Sequence, residues 1–169
     1  MRRRRVARLL VFLHGTTIMH SGAAGRSRGE RVAQAKSQVG HGLDDFAAYV
    51  PIGESAAKLR GWAAQGAHVA YLSSHREPGD VELDADVLGR HGFPPGPILA
   101  RGPTESYGQI VEREMPDVLI EDDCESIGAA EISYHQVRPE ARRRIRSIIV
   151  PEFGGIDHLP DSLAELARG

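Results

Sequence analysis

The chain has 169 residues, 41% of them hydrophobic and 26% charged, with a formal net charge of -2. That length supports one domain with a sizeable core, and the near-neutral balance gives no reason to expect non-specific binding to nucleic acid or to a membrane surface. The single cysteine, Cys124, excludes an internal disulfide and a multi-cysteine metal site.

In chain order, Arg2-Arg3-Arg4-Arg5 reads as part of a solvated basic leader over about residues 1–7. The apolar stretch over 6–13 is interrupted by Arg8, leads into His14-Gly15 and lacks a small-residue cleavage site, so it is no signal peptide. No apolar run has the length to span a bilayer, and a cytoplasmic protein is expected. The run Leu9-Leu10-Val11-Phe12-Leu13 is a buried strand that delivers His14-Gly15-Thr16-Thr17 to the carboxyl edge of a sheet. Residues 18–50 are poor in apolar side chains and rich in Gly, Ser, Arg and His, which predicts a flap or mobile segment with a short helix over 30–37.

A helix follows from Gly53-Glu54, with Ala56, Leu59 and Trp62 on its apolar stripe and Gly66 as its stop. The second strand covers 68–72 and closes on Ser73-Ser74-His75-Arg76. A second helix covers 80–91, with Val81, Leu83, Val87 and Leu88 inward, and a short third strand covers 97–100. Thr104 is the expected cap of a third helix running to Glu114. The fourth strand, over 117–120, ends in Glu121-Asp122-Asp123, and the fifth covers 145–150. After it, residues 152–158 form a loop placed to close one side of a pocket. The alternation predicts a single Rossmann-like α/β domain, a five-stranded parallel sheet with helices on both faces.

Three strand ends therefore share one edge. Backbone N–H groups and the hydroxyls of Thr16, Ser73 and Ser74 are expected to face phosphate oxygens there, with Gly15 supplying the turn and Arg76 the positive charge. Asp122 and Asp123 are expected to hold a hard cation such as Mg²⁺. His14 is the expected acid/base. His20 and His75 reach the same edge without a recognised ligand spacing. Cys124 reads as a small residue at a strand-to-helix junction rather than a thiolate nucleophile.

The segments Phe12-Leu13-His14-Gly15-Thr16, His68 through Ser73-Ser74, and Asp117 through Asp123 resemble, in order and spacing, the haloacid dehalogenase superfamily of phosphatases and related hydrolases. The resemblance covers most of the chain from Leu9 to about Leu159. It implies that Ser73 is the family's strand-end Ser/Thr and that Asp117 to Asp123 is its metal-binding strand end. It also implies a departure. The family's nucleophilic aspartate falls on Phe12 and its second aspartate on His14. The lysine expected between strands two and four is missing, since Lys36 and Lys58 both come earlier, leaving Arg101 or Arg76 to supply charge. An aspartyl-phosphate intermediate is thereby excluded.

Two readings follow. One is an enzyme acting on a phosphorylated or anionic small molecule through His14 and an Asp122/Asp123 cation site. The other is a non-catalytic ligand-binding or regulatory module. With no large cap, substrate selection falls to the flap or to a neighbouring subunit, which raises the expectation of a homo-oligomer.

Overall fold

A computed structural model of the chain describes residues 6–37, 45–128 and 131–168. The arginine run at 2–5, and Gly40 and Gly42 within the expected flap, lie outside the described residues. In chain order the elements are β1 (Arg8–Phe12), β2 (Ile18–His20), α1 (Arg28–Ser37), β3 (Tyr49–Pro51), α2 (Ser55–Ala64), β4 (His68–Leu72) and α3 (Pro78–Arg90). They continue with β5 (Ile98–Leu99), α4 (Tyr107–Glu114), β6 (Val118–Asp122), α5 (Pro139–Arg142), β7 (Arg146–Val150) and α6 (Leu163–Leu166).

β1 is apolar on both faces because both are covered. Leu9 and Val11 join Val69, Tyr71, Val118 and Ile120 on one side, under Leu59 and Trp62 of α2, Val87 and Leu88 of α3 and Leu166 of α6. Leu10 joins Leu72 and Leu119 on the other, under Tyr107, Ile110 and Val111 of α4 and Ala141 of α5. Each fully buried aliphatic side chain contributes about 1.5–3 kcal/mol. The larger polar-tipped residues keep partners: Trp62 Nε1–H donates to the Pro160 carbonyl at 2.9 Å and the Tyr71 hydroxyl to that of Pro94 at 2.6 Å.

The five parallel strands are ordered β5-β4-β1-β6-β7. The chain moves from β1 outward through β4 to β5, then returns to the opposite side of β1 for β6 and β7. This reversal opens a crevice beyond the carboxyl ends of β1 and β6, where doubly wound sheets take ligands. The expected fold class is the observed one.

Three local expectations need correction. The third strand shrinks to two residues. The N-cap of α4 is Ser106, not Thr104: the Ser106 hydroxyl accepts from the Gln109 N–H while the Gln109 side chain accepts from the Ser106 N–H. The described part of the 18–50 segment is built rather than a bare flap. β2 and β3 pair antiparallel in a second small sheet, and Met19, Ala23 and Ile52 form a core of their own with Val50 and Phe153 against it. So few apolar residues suffice because the lobe rests on the main domain, through Ile52 N–H to the Thr17 carbonyl and Arg31 to the Phe153 carbonyl.

Candidate functional site

The crevice is a cleft of about 550 Å³, within the range of small-molecule sites. Its floor is the turn after β1. Gly15 sits at φ 83°, in the left-handed region, and a Cβ there would meet Asp122 Oδ1 at 3.2 Å and Glu152 Cγ at 3.3 Å. Glycine lets the turn pass directly beneath two carboxylates. The next residue ties β1 to β6: the Thr16 hydroxyl donates to Asp122 Oδ1 at 2.6 Å and accepts from the Asp122 N–H at 3.1 Å.

One wall of the cleft is acidic. Ligand oxygens of Asp122, Asp123 and Glu152 lie within 4.8 Å of one another, with Asp122 and Glu152 buried and Asp123 half-buried. Backbone and hydroxyl groups aim the three. Cys124 N–H donates to Asp122, Glu152 N–H to Asp123, and the Ser126 N–H and hydroxyl to the two oxygens of Glu152. Burial pushes the Asp122 carboxyl up to about 6, against the hydrogen bonds from Thr16 and Cys124, and the charge of Glu152 adds to the rise. Clustered carboxylates with this mutual repulsion suit a hard divalent cation, which takes oxygen ligands and relieves the like-charge cost.

The opposite wall is a histidine cluster around Asp84, a residue of α3 that is 1% exposed. His14 Nε2 lies 3.1 Å from Asp84 Oδ1, His75 Nδ1 lies 3.1 Å from Oδ2, and the Ser73 hydroxyl donates to Oδ2 at 2.6 Å. Burial alone would raise the Asp84 carboxyl. The donors from His14, His75 and Ser73 outweigh it and hold the group below the usual carboxylate range. The far nitrogen of His14 faces Ser74, with Nδ1 at 2.8 Å from the hydroxyl and 3.4 Å from the N–H. An amide N–H only donates, so Nδ1 accepts and Nε2 carries the proton it gives to Asp84. Burial lowers the His14 imidazole below its ordinary value, with Asp84 opposing that change, so the ring is a neutral base near neutral pH. The ligand atoms of His14, His75 and Asp84 also lie close enough for an ion, but their hydrogen bonds already close that group.

The remaining expected site residues divide. His14, Gly15, Ser74 and Asp122 line the cleft, as do His20 and His75. Thr16 and Ser73 are fully buried, and their hydroxyls are spent on Asp122 and Asp84, so they position carboxylates and do not face a ligand. Arg76 is exposed and turns to the Pro103 carbonyl. Arg31, on α1, lines the cleft instead, with its guanidinium donating to the Ala23 and Phe153 carbonyls. Arg101 stacks over the Tyr107 ring at 3.8 Å, and Lys58 pairs with Asp161. Glu121 departs from its two neighbours: its buried carboxylate accepts from the Ser133 and Tyr134 N–H groups at 2.7 and 2.9 Å. Cys124 is no thiolate, because burial, then the charges of Asp122, Glu121 and Glu152, push its thiol well above the ordinary value. Phe12, at the end of β1, meets the Tyr107 ring edge-on at 5.1 Å and gives the cleft an apolar side.

The sequence singles out neither Asp84 nor Arg31, and marks Glu152 only as the start of a loop. A signal for Asp84 existed: it lies three and four residues before the buried Val87 and Leu88, on the inward stripe of α3. A carboxylate on such a stripe requires partners. Comparison with protein-family models gives no match, and comparison with curated proteins gives none either.

Proposed function

We propose that the protein is a hydrolase of haloacid-dehalogenase-like type that removes an anionic group, a phosphoryl group above all, from a small molecule. The observation that carries this reading is the pairing of two unlike walls across one cleft at the switch point. The carboxylates of Asp122 and Glu152, with Asp123 close beside them, form one wall, and the neutral, Asp84-anchored His14 forms the other. Mg²⁺ on the first wall would neutralise the carboxylates and draw phosphoryl oxygens to it. His14 is placed to take and return one proton, the contribution of a general acid/base. Arg31 adds positive charge at the same cleft. The strand order and the three strand-end motifs support the resemblance to that superfamily, and Phe12 in place of its nucleophile sets this chain's mechanism apart.

The test is phosphate release from a panel of phosphomonoesters in Mg²⁺. The expected result is turnover in the wild type that falls about 10²–10⁴-fold in His14→Gln and is lost in Asp122→Asn. Absence of turnover on every ester, with Mg²⁺ bound, would replace this reading with a second one. Phe12 at the nucleophile position favours that alternative, a phosphate-binding module without catalysis.

A further inference from the structure

Resting on the hydrolase reading, we propose that Ser74 is the nucleophile of this site. The geometry is a continuous line from the Ser74 hydroxyl to His14 Nδ1 at 2.8 Å, then from His14 Nε2 to Asp84 Oδ1 at 3.1 Å. A nucleophile within hydrogen-bond reach of a base, with that base oriented by a buried acid, is the arrangement that activates hydroxyls on unrelated folds. Here the two ring nitrogens exchange places: Nδ1 serves the serine and Nε2 the aspartate. The Ser74 hydroxyl covers the one unprotonated nitrogen of His14, so the proton best placed to reach the imidazole is the serine's, not that of a free water.

Four other serine, threonine and cysteine groups near the cleft are poorer candidates. Those of Thr16 and Ser73 are fully buried and donate to carboxylates, and Cys124 stays protonated. Ser126 donates to Glu152 on the acidic wall. Ser74 is half-buried, lies two residues past the end of β4 and lines the cleft. His75 and Ser73 hold Asp84 in place from its other oxygen, which leaves Oδ1 to orient His14.

In the first half of the reaction Ser74 Oγ attacks phosphorus. The Oγ–P bond forms as the bond to the leaving oxygen breaks, and the serine proton passes through His14 Nδ1 to that oxygen. In the second half a water gives a proton to Nδ1 and its oxygen attacks phosphorus. The P–Oγ bond breaks and Ser74 recovers the proton. The products are an alcohol and inorganic phosphate, with no change of oxidation state.

The probe is diisopropyl fluorophosphate, applied to the full chain in EDTA so that labelling is independent of the cation wall. The Ser74 oxygen displaces fluoride and its proton leaves through His14. The expected result is one diisopropylphosphoryl group per chain on Ser74, none on Ser74→Ala, and labelling at least about 100-fold slower in His14→Gln. No adduct on the wild type, an adduct elsewhere such as on Ser126, or an unchanged rate in His14→Gln would overturn the proposal. Because the wild-type adduct is mapped directly, a folding defect in Ser74→Ala does not blunt the test. Labelled Ser74 in a protein that releases no phosphate from esters would support the nucleophile and remove the phosphatase reading. Full phosphate release by a folded Ser74→Ala would do the reverse.

Discussion

Thr16 shows how one hydroxyl places the chemistry. It donates to Asp122 Oδ1 and accepts from the Asp122 N–H, so both partners of the pair depend on it inside a buried turn. Thr16→Val keeps the shape, leaves these groups unsatisfied and is expected to cost about 1–3 kcal/mol, read as a lower midpoint in urea unfolding. An unchanged midpoint would mean that water replaces the hydroxyl. Asp122 itself links stability to function with opposite signs. Its carboxyl shifts from 3.8 to about 6, so the folded state holds the extra proton between those values. In the metal-free protein this group therefore makes stability fall as pH rises through that window, whereas cation binding needs the ionised form. Mn²⁺ affinity is expected to fall about tenfold for each pH unit below 6, and calorimetry at pH 5 and pH 7 checks it. Affinity independent of pH would show that Asp122 is not a ligand.

At the scale of elements, α4 illustrates both what the sequence tells and what it hides. Its inward positions, Ile110 and Val111, are legible from spacing alone. Its start is legible too, in Ser106 with Gln109 three residues on, although Thr104 is the more conspicuous candidate in a sequence reading. Ser106→Ala is expected to lower stability by about 1 kcal/mol, visible as a lower melting temperature, whereas Thr104→Ala is expected to leave it unchanged. The reverse pattern would restore Thr104 as the cap.

The same contrast holds for the site. Residues at strand ends, His14, Gly15, Ser74 and Asp122, are legible because parallel strands deliver their ends to one edge. Asp84 and Arg31 are not, because helices α3 and α1 bring them there and helix placement depends on tertiary packing. The ligand roles expected of Thr16 and Ser73 fail for a related reason: a hydroxyl at a strand end serves a ligand or a neighbouring carboxylate, and only the distances decide which.

For the whole molecule, the sheet order does most to define function. Because β1 lies between β4 and β6, the His14 turn is flanked by the Ser73-Ser74-His75 end on one side and by Asp122 on the other. The His14–Asp84 pair and the acidic wall thus face one cleft, and the small β2–β3 sheet with α1 adds His20 and Arg31 to its rim. Among the described residues no helix is long and apolar enough to cross a membrane. On the proposed function, the acidic wall holds a divalent cation that receives the anionic group of the substrate in front of His14. The most direct measurement is calorimetric titration of inorganic phosphate into the wild type and Asp122→Asn, each in Mg²⁺ and in EDTA. Phosphate is expected to bind the wild type in Mg²⁺ and none of the other three samples. Equal binding with and without Mg²⁺, or equal binding by Asp122→Asn, would contradict it.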